Sequence, residues 1–113
     1  MATIQIFGLK KCTDTQKAER FFKERRISYQ FINLAENGMS KGELESVIKS
    51  AGLESLIDRA GREFKKANLE YMEFDAAEAL LENPLLFKTP VVRKGNIAAV
   101  GYAPEQWKSF LGD

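Results

Sequence analysis

The chain has 113 residues, a formal net charge of +1, one cysteine and no histidine. That length suits one domain with its own hydrophobic core, while the near-neutral, intermixed charge gives no electrostatic footprint for nucleic acid or an anionic membrane surface. A single cysteine excludes an intramolecular disulfide, and the lack of histidine removes the commonest zinc ligand and the commonest general base, so no metal site is expected. The apolar stretches are short and broken by charge, so neither a signal peptide nor a membrane span is expected, and a reducing cytoplasm is the expected compartment.

Ile4 and Ile6 alternate with polar neighbours and predict a first strand from Thr3 to Phe7, ended by Gly8. After Cys12, the residues Ala18, Phe21 and Phe22 fall on one helical face, and Thr13-Asp14-Thr15-Gln16 fits a capping box with Thr13 as N-cap, predicting a helix to about Arg25. A second strand is predicted from Ser28 to Leu34, which completes a βαβ unit. Ser40-Lys41-Gly42-Glu43 is another capping box, followed by Leu44, Val47, Ile48 and Ala51 at helical spacing and by Gly52 as a stop. Leu53, Leu56, Ile57 and Ala60 predict a shorter helix, Gly61 to Asn68 reads as a polar stretch, and Asp75 is placed to cap a helix through Leu80 and Leu81 that ends near Asn83-Pro84. Val91 and Val92 face Ile97 to Val100 across Arg93-Lys94-Gly95-Asn96 as a hairpin. Pro104 then opens a last helix, with Trp107, Phe110 and Leu111 as its buried face before Gly112.

Strand, helix, strand, then helices, then hairpin and helix is the layout of an α/β thioredoxin-like domain. The expected organisation is one domain over residues 1–113, with a helical insertion at about 35–85 between the two halves. In this layout Cys12 stands at the positive end of the first helix, where unpaired N–H groups, the helix dipole and the neighbouring Lys10 and Lys11 all favour thiolate. Position alone leaves a buried structural cysteine as the alternative. Thr89-Pro90, directly before the third strand, is the second landmark, and a cis peptide bond beside Cys12 is expected there.

Phe7-Gly8-Leu9-Lys10-Lys11-Cys12, Leu56-Ile57-Asp58-Arg59-Ala60-Gly61 followed by Phe64-Lys65-Lys66, and Asn83-Pro84-Leu85-Leu86-Phe87-Lys88-Thr89-Pro90 together resemble the arsenate-reductase-like (ArsC/Spx/YffB) family over nearly the whole chain. The opening is most similar to the small YffB-type branch, regarded as glutathione-dependent thiol reductases. Arsenate reductases of this family carry His-x3-Cys-x3-Arg, where this chain has Gly8 and Gln16 about the cysteine, and an arginine before the strand-initiating proline, where it has Thr89. The family's mid-chain arginine aligns with Ala60, leaving Arg59 one residue early and Arg62 two late. Arginine's fixed fork is what suits a tetrahedral oxyanion, so efficient arsenate reduction is not expected.

The resemblance implies a monothiol oxidoreductase with Cys12 as nucleophile, no tightly bound cofactor, and glutathione as co-substrate or a small thiol or disulfide as substrate. By the same analogy Thr89 and Pro90 would line a β-type contact with the glutathione backbone, with Lys11 and Thr13 beside the thiol. Arg59 is either a second anion contact or a solvated helix charge. Glutaredoxin and RNA polymerase are the protein partners the family offers, and a monomer is expected. The alternative is an Spx-like regulator that engages RNA polymerase without reductase activity. Regulators of that branch commonly have Cys-x-x-Cys at the helix head and a basic C-terminal extension, whereas Cys12-Thr13-Asp14-Thr15 has one thiol and the chain ends at Asp113. A member that keeps the fold and has lost the chemistry is the third reading.

Overall fold

The structure is a computed structural model describing residues 3–69 and 73–110. Its strands β1 (Ile4–Gly8), β2 (Tyr29–Asn33), β3 (Val91–Lys94) and β4 (Ile97–Val100) form one sheet in the order β2-β1-β3-β4. Strand β1 runs parallel to β2 and antiparallel to β3, and β3 is antiparallel to β4. Helix α1 (Thr13–Glu24) crosses from β1 to β2. Between β2 and β3 lie α2 (Lys41–Ala51), α3 (Leu53–Leu56), α4 (Arg62–Lys66), α5 (Ala76–Glu82) and a 3₁₀ turn at Pro84–Leu86, and α6 (Pro104–Ser109) follows β4. This is the predicted thioredoxin-like α/β order.

Strand alternation divides the core in two. Ile4, Ile6, Val92 and Ala99 point to one face and are buried with Ala18, Phe21 and Phe22 of α1 and Trp107 of α6. Phe7, Val91 and Ala98 point to the other and are buried with Leu44, Val47, Leu56, Phe64 and Leu80 from the inserted helices. One layer of helix on each face removes both apolar surfaces from water, which is why β1, at the centre, is apolar on both sides. Among the described residues no helix is long and apolar enough to cross a membrane.

The second capping box forms as read: Glu43 N–H donates to Ser40 Oγ at 3.1 Å, and Ser40 N–H donates to Glu43 Oε1 at 2.9 Å. Gly52 ends α2 at φ 88°, a conformation that favours glycine, and Asp75 caps α5. Four expectations need correction. The N-cap of α1 is Cys12, one residue earlier than Thr13, and Gln16 makes no capping box, its side-chain amide donating instead to Lys10 O at 2.8 Å. The helix expected through Ala60 is the single turn α3, because Ile57 leaves it to form an antiparallel bridge with Phe87. Part of the polar stretch Gly61 to Asn68 is helical, as α4, anchored by buried Phe64. The hairpin turn is only Gly95 and Asn96, since Arg93 and Lys94 stay in β3 by pairing with Gln5 and Ile4 of β1. Smaller shifts bring β1 to Ile4–Gly8 and β2 to Tyr29–Asn33. Pro104 opens α6, and Trp107 and Phe110 are buried as expected, while Leu111 and Gly112 lie outside the described residues.

Phe64 is the buried anchor of α4, and its ring meets Phe74 edge-on at 5.9 Å. Phe64→Ala should lower unfolding free energy by about 3–5 kcal/mol, read as a fall in urea midpoint. A loss under about 1 kcal/mol would mean that α4 does not contribute to the core as described.

Candidate functional site

The site begins where β1 runs out. Gly8 closes the strand against Thr15, and a Cβ at Gly8 would stand 2.5 Å from Thr15 Oγ1, so glycine lets the first turn of α1 approach the sheet. Thr15, the buried polar residue among those described, accepts a hydrogen bond from Leu9 N–H at 3.4 Å. Cys12 N–H donates to Leu9 O at 3.0 Å, closing a turn, and Cys12 O accepts the first helical hydrogen bond, from Gln16 N–H, at 3.0 Å. Cys12 is therefore extended (φ −78°, ψ 121°), with its side chain over the open amides of α1.

A neutral thiol is a poor acceptor, and no cap hydrogen bond to the Cys12 side chain is made. A thiolate at the same place is different, because an N-cap acceptor takes the N–H groups at the second and third helical positions, here Asp14 and Thr15. Across the site, Thr89 Oγ1 donates to Cys12 Sγ at 3.2 Å, and the thiol lies 3.9 Å from Thr89 O. Burial pushes the Cys12 thiol up, but hydrogen bonds from the side chains of Thr15 and Thr89 and the backbone amides of Thr15 and Asp14 outweigh it and leave the thiol below its ordinary value. Lys10 and Lys11, expected to contribute, are not among the causes.

The Thr89–Pro90 peptide bond is cis, as expected. The segment leading to it is held from the inserted helices: Lys88 N–H donates to Leu56 O at 2.7 Å, and Asp58 N–H donates to Leu86 O at 3.0 Å. On the far side Gly101 N–H donates to Pro90 O at 2.8 Å. The bridge that cuts α3 short is thus one of the contacts that places Thr89.

Of the residues singled out in the sequence, the structure brings Cys12 and Thr89 into contact, with Pro90 buried in the cis bond that follows Thr89. Lys11 and Thr13 flank Cys12 in the chain and are exposed. Arg59 is engaged elsewhere. Its guanidinium meets both carboxylate oxygens of Glu54, at 3.2 and 3.0 Å, and lies 5.4 and 5.7 Å from the Phe64 and Phe74 ring centroids. Arg62, on α4, is also exposed. Sequence reasoning missed Thr15 as a partner of the thiol, reading it only within the capping box and as the place of an absent second thiol. The available signal was a hydroxyl three residues after the cysteine, within hydrogen-bond reach once Cys12 is the N-cap. Among the described residues no group of three or more His, Cys, Asp or Glu is placed to hold a metal ion.

Fold and site together define a thioredoxin-like protein with one thiol capping its first helix opposite a cis-proline loop. The comparisons are more specific: the ArsC family model matches residues 7–110, and the chain belongs to the ArsC family. It is 28% identical over 114 residues to the global transcriptional regulator Spx 2 of Oceanobacillus iheyensis, an alignment covering 96% of this chain and 84% of that protein. Among solved structures it superposes on the YffB protein with a TM-score of 0.85 at 26% identity, covering 97% of this chain and 100% of the other. The arsenate reductase from Vibrio cholerae shares the fold at a TM-score of 0.82 and 22% identity, covering 97% of this chain and 98% of that one.

A thiol whose folded-state pKa is depressed contributes stability above its unfolded pKa, and that contribution is lost as pH falls through the folded value. The rate of Cys12 alkylation should therefore rise with a midpoint below the ordinary thiol value, about 8.5. Thr15→Val and Thr89→Val should each move the midpoint upward by removing a hydroxyl donor. An unmodified midpoint at or above the ordinary value, or no response to either substitution, would remove the hydroxyls from the account of this thiol.

Proposed function

We propose that this protein is a glutathione-dependent monothiol oxidoreductase with Cys12 as its nucleophile. The observation that carries the reading is Cys12 at the N-cap of α1 with its sulfur accepting a hydrogen bond from the Thr89 hydroxyl, an environment that favours the thiolate. The thiolate attacks a glutathione mixed disulfide at the glutathione sulfur, releasing the substrate thiolate and forming a Cys12–glutathione disulfide. A second glutathione thiolate then attacks the bound glutathione sulfur, giving glutathione disulfide and restoring the Cys12 thiolate. No second protein thiol is required, which suits a chain in which Thr15 stands where a resolving cysteine would be.

In this reading the backbone groups of Thr89, directly before Pro90, pair with the glutathione backbone, while exposed Lys11 attracts a carboxylate and Thr13 stands beside the bound thiol. Arg59 is a secondary contact, since its guanidinium is shared with Glu54. Arsenate fits this surrounding poorly. Gly8 offers no side chain, the Gln16 amide is spent on Lys10 O, Thr89 presents a hydroxyl in place of an arginine fork, and Arg59 is paired.

The likeness to Spx 2 favours one further reading, a regulator that engages RNA polymerase without exchange chemistry. Exchange with a small glutathione mixed disulfide separates the two. Cys12→Ser should abolish it and the glutathione adduct seen by mass spectrometry, leaving the fold intact, while Arg59→Ala should change the rate by less than about fivefold, as for an exposed ion contact. Arsenate turnover coupled to glutaredoxin should be negligible. Absence of exchange and adduct in the unmodified protein, with RNA polymerase retained by both it and Cys12→Ser in a pull-down, would replace the enzyme by the regulator.

A further inference from the structure

Away from the thiol, the most unusual surface lies between α1 and α6. Tyr102 is 56% exposed, uncommon for a large ring in a chain whose other aromatics mostly pack inward. It stands edge-on to buried Trp107, with ring centroids 5.5 Å apart, so its orientation is fixed by packing. Lys17 Nζ lies 5.0 Å from the Tyr102 ring centroid, and Arg25 is stacked over Phe21 at 3.8 Å. These groups, with Arg20, line a cleft of about 350 Å³. Three cations face it against one acid, Glu24, and all four are exposed.

The cleft is tied to the site by two short connections. Tyr102 follows Gly101, whose N–H bonds Pro90 O in the cis-proline loop that holds Thr89 on the sulfur. Lys17 and Arg20 stand on the helix that Cys12 caps, so a chain lying in the cleft could continue toward the thiol along α1. Cations around a rigid, exposed aromatic make a surface complementary to carboxylates, with the ring supplying apolar contact at little cost in side-chain entropy. A tripeptide already engaged at Cys12 and Thr89 has no need of it, whereas a protein carrying that tripeptide does.

We propose that the α1–α6 cleft is a docking surface for protein substrates, taking an acidic segment near the cysteine that carries glutathione. This rests on the oxidoreductase reading of Cys12 and adds its substrate class. The chemistry is unchanged: Cys12 takes the glutathionyl group, the substrate protein leaves as its thiolate, and free glutathione regenerates the enzyme. The surface acts on encounter and register, so its effect should appear in kcat/KM and weaken with salt.

The test uses two synthetic peptides of equal length, each with one glutathionylated cysteine, one flanked by Asp and Glu and the other by Lys. At low ionic strength the acidic peptide should be turned over with a kcat/KM about tenfold higher, the gap shrinking as salt is raised. Lys17→Glu combined with Arg20→Glu should erase or invert the gap, and Tyr102→Ala should reduce it, while exchange with a small glutathione mixed disulfide stays as in the unmodified protein. Equal rates for the two peptides, or a gap that survives the charge reversal, would overturn the proposal. Trp107 is the single tryptophan, so its emission follows binding of the same peptides with serine in place of the modified cysteine. If small-substrate exchange is absent, the reading of Cys12 has failed, and the emission titration decides the docking surface by itself: selective binding of the acidic peptide supports it, and equal or no binding overturns it.

Discussion

The site depends on one constraint, that the sulfur of Cys12 occupies the position of an N-cap acceptor. An α-helix opens with amides that have no partner within it, and they are ordinarily satisfied by a side-chain oxygen or by water. Sulfur as a thiol satisfies them badly, and sulfur as a thiolate satisfies them well, so the helix end favours ionisation. Burial acts in the opposite sense and is the largest single influence on this group. Hydrogen bonding to the thiolate form, from the Thr15 and Thr89 hydroxyls and the Thr15 and Asp14 amides, reverses it. The activation therefore comes from neutral donors on both sides of the sulfur, without an adjacent base and without the lysines that precede it.

Neutral donors are effective only if they are held in place, and the fold supplies this from two directions. Thr15 is fixed from within, buried against Gly8 in a gap that admits no Cβ and bonded to the Leu9 amide. Thr89 is fixed from outside, by the Leu56–Lys88 and Asp58–Leu86 hydrogen bonds on one side and the Gly101–Pro90 hydrogen bond on the other. The inserted helices are thus more than a cover for the sheet. By reaching across to the segment before Pro90 they set the distance between two halves of a site whose residues are 77 apart in sequence.

How much of this could be read from the chain follows from how local each determinant is. The strands, α1, α2, α5 and α6 were legible because alternation, helical spacing and short-range caps are written within a few residues of where they act. The Ser40–Glu43 box and the Gly52 stop are examples. Ile57 was not legible, since its departure from helix is enforced by a pairing with Phe87, thirty residues on. Neither was α4, a single turn whose one buried side chain, Phe64, cannot generate a period. In the site, Cys12 and Thr89-Pro90 were evident from their places in the order of elements. Thr15 was hidden by a one-residue error in the cap: with Thr13 as N-cap, Cys12 falls outside the helix and Thr15 has no reason to face it.

The same geometry explains why charge is absent from the sulfur's immediate partners and present a short way along α1. An arginine fork beside the thiol would favour a tetrahedral anion, and the positions that could provide one carry glycine, glutamine and threonine, with Arg59 held by Glu54. A site lined by hydroxyls and backbone suits a neutral disulfide sulfur flanked by peptide. In the proposed exchange chemistry, selectivity among disulfides must come from what surrounds the sulfur pair. Lys17, Arg20 and Tyr102 lie on the helix that Cys12 caps and on the turn bonded to Pro90, so the elements that orient the thiol also carry the surface proposed to recognise what the disulfide is attached to.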